Sequence, residues 1–169
     1  ITDVIVEILI ETYQNKILID VVIGLNNTNS IFLKNKFKNY KNVFFYEKLD
    51  NLSNLMLQSD FSIGAGGTTL WERMCMGVPS MVLSMASNQC FASNALNKIG
   101  LIKYISDYKN ISKEMISQNV VNFIENKIEA EKFSNLGKVM VDPHGGLRLL
   151  KKIIPSAFKN IKFRRLNLD

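Results

Sequence analysis

The chain has 169 residues, of which 47% are apolar and 21% charged, with a formal net charge of +6. Such a composition can bury one ordinary core and excludes disordered and collagen-like classes. No apolar run approaches the roughly 20 residues that cross a bilayer, and Ile1-Thr-Asp-Val-Ile lacks the basic-then-apolar layout of a signal peptide, so a soluble, cytoplasmic protein is expected.

The lysines are dispersed through an Asn- and Ile-rich sequence, without aromatic-basic stacking motifs or recognition-helix signatures, so an anionic small molecule is a better expected partner than nucleic acid. Cys75 and Cys90 have neither CxxC spacing nor a neighbouring histidine, and are read as buried free thiols with no metal. The opening segment has the pattern of the middle of a fold, so a longer parent polypeptide is expected.

In chain order, Thr2 to Asn15 carries apolar residues at helical spacing and leads to a strand, Ile17 to Gly24, whose β-branched run fits a parallel strand covered on both faces. Ser30 is expected to cap a helix reaching Asn39, before a strand at Val43–Tyr46. Asp50 is expected to cap a short helix, Leu52 to Ser59, followed by a strand at Phe61–Ile63. A helix from Thr68 to Met76 is stopped by Gly77 and Pro79. A strand at Ser80–Leu83, a helix from Ser87 to Ile99 closed by Gly100, and a strand at Leu101–Ile105 complete the alternation. Helices at Ser112–Glu125, Ile128–Leu136 and His144–Ile153 fill the last third. This alternation predicts an α/β fold: a Rossmann-like parallel sheet with right-handed crossovers and helices on both faces.

In such sheets ligands sit beyond the carboxyl ends of the strands, where helix N-termini present unpaired N–H groups. Gly64-Ala-Gly-Gly-Thr-Thr69 falls at such a place. Gly66 and Gly67 allow close approach to an anion, Thr68 and Thr69 add hydroxyls, and the helix dipole favours phosphate. The alternative is a glycine turn that only lets strand and helix pack closely. Glu72, one turn on, could accept from a ribose diol, or could pair with a neighbouring cation; Leu70, Trp71 and Met74 are read as core. Neither a Walker loop nor GxGxxG spacing is present, so P-loop hydrolysis is not expected. After the next strand, Ser87, Asn88 and Gln89 offer neutral groups for sugar or phosphate oxygens, with Ser87 as a simple N-cap the alternative. His144, the sole histidine, sits at a turn and is read as structural, so a full acid–base set is not visible.

The run Ser59-Asp-Phe-Ser-Ile-Gly-Ala-Gly-Gly-Thr-Thr-Leu-Trp-Glu-Arg73, with Cys75-Met-Gly-Val-Pro-Ser80, Ser87-Asn-Gln89 and Asp142-Pro-His-Gly-Gly146, resembles a family of pseudaminic-acid pathway hydrolases and their spore-coat polysaccharide relatives. Those hydrolases release UDP from a UDP-linked 2,4-diacetamido-2,4,6-trideoxyhexose, and all resemble MurG-type glycosyltransferases of the two-lobed GT-B fold. The resemblance implies that residues 1–154 form a GT-B C-terminal lobe without its first strand and N-terminal lobe. It assigns Gly66, Gly67, Thr68 and Thr69 to the diphosphate of UDP or a UDP-sugar and Glu72 to the ribose. It places Asn88 and Gln89 beside phosphate or sugar. Asn88 is the one catalytic candidate here, the main catalytic histidine belonging to the N-terminal lobe, and neither cofactor nor metal is implied. Residues 155–169 read as a tail or linker, or as the first strand of a fused acetyltransferase. A UDP-sugar glycosyltransferase and a non-catalytic nucleotide-binding domain are the alternative functions.

Overall fold

A computed structural model describes residues 1–24, 27–107 and 109–154. The reading of residues 155–169 lies outside these. Along the chain run α1 (Thr2–Tyr13), a 3-10 turn (Gln14–Lys16), β1 (Ile19–Ile23), α2 (Ser30–Phe37), β2 (Val43–Glu47), α3 (Ser53–Gln58) and β3 (Ser62–Ala65). They are followed by α4 (Thr68–Cys75), β4 (Ser80–Ser84), α5 (Ser87–Lys98), β5 (Lys103–Asp107), α6 (Lys113–Glu125), α7 (Lys127–Met140) and α8 (Gly145–Ile153). All strand pairings are parallel. β1 pairs with β2, Ile19 beside Val43, while β4 lies between β3 and β5, with Ser62 beside Ser80.

β4 shows how sequence fixes layer position. Its five residues are all buried, with Met81 and Leu83 on one side and Val82 on the other. Because side chains alternate along a strand, those two sets face different layers. Met81 and Leu83 join a core containing Val6, Ile8 and Leu9 of α1, Leu33 and Phe37 of α2, and Ile116, Val120 and Phe123 of α6. Val82 joins Leu70 and Met74 of α4 and Leu96 of α5. The arrangement is a doubly wound α/β fold, with helices on both faces and each large apolar side chain contributing about 1.5–3 kcal/mol by leaving water.

Several local readings change. β1 is buried on one face only: Ile19, Val21 and Ile23 are covered, while Asp20 is exposed and Val22 is 46% exposed among the described residues. Ser30 is inside α2 rather than capping it; Asn29 takes the cap position and the Ser30 hydroxyl donates to Glu47. Asp50 does not cap α3. Asn51 Oδ1 instead accepts from the Ser53 hydroxyl at 2.7 Å and the Ser53 N–H at 3.3 Å, an Asx turn that competes successfully with the acid one residue earlier. Ser87 is the first helical residue after the cap position Ala86. Cys75 and Cys90 are free thiols but only half-buried.

α7 approaches α4 so closely that a Cβ at Gly137 would lie 2.8 Å from the Met74 carbonyl oxygen. Only a missing side chain permits that helix crossing. Gly77 ends the α4 segment with φ +71°, a conformation that glycine adopts without a Cβ penalty. The chain then turns directly into β4.

Candidate functional site

Two loops leave neighbouring parallel strands at their carboxyl ends. β3 ends at Ala65 and passes through Gly66 and Gly67 into α4; β4 ends at Ser84 and passes through Met85 and Ala86 into α5. Both helix N-termini therefore lie on one edge of the sheet. Their cap residues, Gly67 and Ala86, make no side-chain cap; the Leu70 and Gln89 N–H groups donate to the Gly67 and Ala86 carbonyls at 3.0 Å, which leaves the first-turn N–H groups of Thr68, Thr69, Ser87 and Asn88 for an acceptor. Such a pair of dipole ends favours an anion.

Gln89 links the loops. Its Oε1 accepts from the Met85 N–H at 3.0 Å, its Cβ lies 3.7 Å from where a Gly66 Cβ would stand, and its Nε2 is 4.0 Å from that of Gly67. Of the residues singled out from sequence, Gly66, Gly67 and Gln89 are thus brought together. Thr68 and Thr69, on the first turn of α4, and Ser87 and Asn88, on the first turn of α5, are exposed at the same edge.

Glu72 is exposed one turn along α4 and, with Thr69, lines a groove of about 580 Å³. Trp71 also lines it, at 48% exposure; the expectation that Trp71 is core is wrong, because Leu70 and Met74, each 2% exposed, already occupy the buried side of the helix. The far wall is Leu49 to Ser53 together with Val141, Asp142 and Pro143. A larger cavity of about 730 Å³, bounded by Gln14, Leu18 and Tyr40, adjoins the amino ends of β1 and β2, on the opposite edge from the glycine loop.

Two residues behind the glycine loop escaped the sequence reading. Arg73 is 6% exposed; its Nη2 donates to the Ala65 carbonyl at 2.7 Å and its Nη1 to Ser62 Oγ at 3.2 Å. Burial pulls its guanidinium down to about 10, with Glu72 acting weakly in the other direction. The guanidinium adds positive potential beneath the loop and holds the end of β3. Ser93, 1% exposed, has its Oγ only 2.5 Å from the position of a Gly66 Cβ. The Arg73 signal was a cation four residues after Thr69; which way it folded back was a tertiary fact.

His144 takes the cap position of α8, and its backbone N–H donates to Asp142 Oδ1 at 2.8 Å. Asp142 also accepts from Arg148 at 2.7 Å, and that bond, more than the His144 N–H, holds its carboxyl below the usual range. This is a turn-stabilising arrangement. Among the described residues, no group of three or more His, Cys, Asp or Glu could hold a metal, and no helix is long and apolar enough to cross a membrane.

The fold is that of one lobe of the GT-B type. Solved structures share the fold: WaaG, a glycosyltransferase involved in lipopolysaccharide biosynthesis, matches with TM-score 0.64 and 18% identity over 90% of this chain and 42% of its own. A UDP-N-acetylglucosamine 2-epimerase matches with TM-score 0.68 and 14% identity over 96% of this chain and 42% of its own. The UDP-GlcNAc 2-epimerase from Neisseria meningitidis, bound to UDP-GlcNAc, gives 0.66 and 18% over 92% and 41%.

The chain belongs to the family described as "Protein of unknown function (DUF354)", whose model matches residues 1–144. Among curated proteins, the spore coat polysaccharide biosynthesis protein SpsG of Bacillus subtilis is 44% identical over 43 residues, 25% of this chain and 13% of that protein. The pseudaminic acid cytidylyltransferase and UDP-2,4-diacetamido-2,4,6-trideoxy-beta-L-altropyranose hydrolase of Helicobacter pylori is 36% identical over 76 residues, 44% of this chain and 14% of that protein. The matched stretches are therefore small parts of both relatives.

Proposed function

We propose that this domain is the UDP-gripping, C-terminal lobe of an enzyme of surface-polysaccharide biosynthesis that hydrolyses a UDP-linked 2,4-diacetamido-2,4,6-trideoxyhexose. The observation that carries the reading is the pair of uncapped helix N-termini, α4 and α5, set side by side across Gly66, Gly67 and Gln89. The Helicobacter relative's name supplies the reaction, and the Bacillus relative's name the polysaccharide setting.

In this reading the diphosphate rests on the first turns of α4 and α5, against Gly66, Gly67, Thr68, Thr69 and Gln89. Glu72 accepts from the ribose hydroxyls, and the groove beside Trp71 takes the rest of the nucleoside. Water attacks the anomeric carbon, the bond from that carbon to the UDP oxygen breaks, and UDP leaves with the bonding electron pair. The helix N-termini stabilise the charge growing on the leaving diphosphate, and Arg73 adds to the same field from behind. Asn88 and Ser87 face the sugar side, where Asn88 can orient the water or an acetamido group. The residue that takes the water's proton belongs to a second lobe.

The likeness to a glycosyltransferase fold favours a second reading, in which the same grip passes the sugar to an acceptor hydroxyl. The fate of the sugar separates the two.

Titration with UDP, followed by calorimetry and by the fluorescence of the single tryptophan, Trp71, tests the grip. UDP is expected to bind in preference to AMP and CMP and to change Trp71 emission. Glu72→Ala is expected to weaken it about tenfold, the loss of one charged hydrogen-bond acceptor worth roughly 1.5 kcal/mol. UDP affinity unchanged by Glu72→Ala would remove the ribose assignment, and unchanged Trp71 emission would place the nucleotide outside the groove.

A further inference from the structure

Lys34, Lys36, Lys113 and Arg148 are spent on Glu47, Glu7, Glu11 and Asp142. Lys16, Lys38 and Lys41, by contrast, have no ion-pair partner among the described residues, and they lie in two short segments, residues 14–18 and 38–42, that contain no acid. Those segments bound the cavity of about 730 Å³ at the amino ends of β1 and β2. Its volume is that of a small-molecule site, typically about 300–1,000 Å³.

Asn42, 5% exposed, ties the two segments together. Its Nδ2 donates to the Gln14 carbonyl at 2.9 Å and to the Ile17 carbonyl at 3.0 Å, fixing the turn in which Gln14 holds φ +52° against the start of β2. With both Nδ2 hydrogens used, Oδ1 remains a buried acceptor with no donor among the described residues. Buried acceptors are seldom left so, and the cavity that Asn42 lines is where a donor can enter.

The rest of the lining says what kind of donor. Gln14, Asn15 and Asn39 are exposed carboxamides, each with donors and an acceptor in one plane, the pattern that neighbouring sugar hydroxyls can meet. Tyr40, whose ring lies 6.2 Å from that of Phe37, and Leu18 are exposed and offer apolar surface to the C–H face of a pyranose. Lys41, in a lining without a carboxylate, favours an anion.

We propose that this cavity binds a sugar carrying a carboxylate, such as a uronic acid. Lys41 meets the carboxylate, Gln14, Asn15 and Asn39 meet hydroxyls, and Tyr40 lies against the ring. A single aromatic side chain could stack one base only, so a sugar suits the cavity better than a nucleic-acid strand. The five residues of β1 set this edge on the order of 15 Å from the edge that holds Gly66 and Gly67. The inference therefore does not depend on the nucleotide reading.

The test is NMR titration of this chain with glucuronate, glucose, acetate and an oligothymidylate. Glucuronate is expected to shift the side-chain amide signals of Gln14, Asn15, Asn39 and Asn42, while the Gly66 and Gly67 amides and the Trp71 indole stay in place. It is expected to bind about tenfold more tightly than glucose, the gain from a charge-assisted contact to Lys41. Lys41→Gln should bring glucuronate down to the affinity of glucose, and Asn39→Ala should weaken both sugars about threefold to tenfold. Both positions are exposed, and an unchanged melting curve checks that the variants fold. Glucuronate that shifts none of the four signals, or that binds Lys41→Gln as it binds the parent, would overturn the proposal. So would acetate acting as strongly as glucuronate, which marks a bare anion site, or an oligothymidylate that displaces glucuronate from these residues.

Discussion

Gly66 is a place where packing alone dictates glycine. It is not among the glycines with positive φ, which are Gly77 and Gly100, so an alanine there meets no backbone strain. Its Cβ would instead stand 2.5 Å from Ser93 Oγ and 3.3 Å from Val82 Cγ1. Ser93 is 1% exposed and Val82 is fully buried, so neither can swing into solvent. Overpacking of this kind costs about 1–3 kcal/mol, and a domain of this length shifts its Tm by about 2–4 °C per kcal/mol. Gly66→Ala is thus expected to lower Tm by roughly 2–12 °C. Ser93→Ala deletes the clashing oxygen, which has no hydrogen-bond partner among the described residues, and is expected to cost little alone. The double variant should recover about 1–2 kcal/mol relative to the sum of the singles. Urea and thermal denaturation followed by circular dichroism measure all three, and additivity within about 0.5 kcal/mol would refute the close-approach argument.

Gly137→Ala is expected to be the more damaging glycine replacement, because the atom in the way is the Met74 backbone oxygen at 2.8 Å, with Met74 Cα at 3.3 Å, and neither can rotate aside. A loss of at least about 2 kcal/mol in urea denaturation is the expected outcome, and a neutral substitution would show that α4 and α7 are not held at this distance. Glu47 supplies a pH prediction: hydrogen bonds from Lys34 and then Ser30 hold its carboxyl below the ordinary range. The folded state therefore binds this proton less readily than the unfolded chain, so the contribution is present above the ordinary carboxylate pKa and is lost as pH falls through the lowered one. NMR titration should show Glu47 protonating below free glutamate, and Glu47→Gln should flatten this part of the acid-stability curve.

The alternation of strands and helices was legible because each β-branched run is bounded by turn residues and each helix carries its apolar side chains at i, i+3 and i+4. The stops were legible too: Gly77 and Gly100 both adopt the positive φ expected of glycine at a helix end. Capping was read less well. Ser30, Asp50 and Ser87 are all good cap residue types, yet one-residue shifts decide which side chain meets a free N–H, and those shifts follow where the flanking strand ends. Trp71 failed for a similar reason: a large aromatic reads as core until Leu70 and Met74 have filled the buried face.

The chain's local chemistry by itself determined the α/β class, the glycine turn after β3, and the neutral polar turn after β4, since these depend on periodicity and backbone freedom within a few residues. Only the tertiary structure decided that the two turns adjoin, that Arg73 folds beneath Ala65, and that Ser93 fills the space a Gly66 side chain would need. Those pairings are set by parallel strand register and helix packing, and no local spacing encodes them.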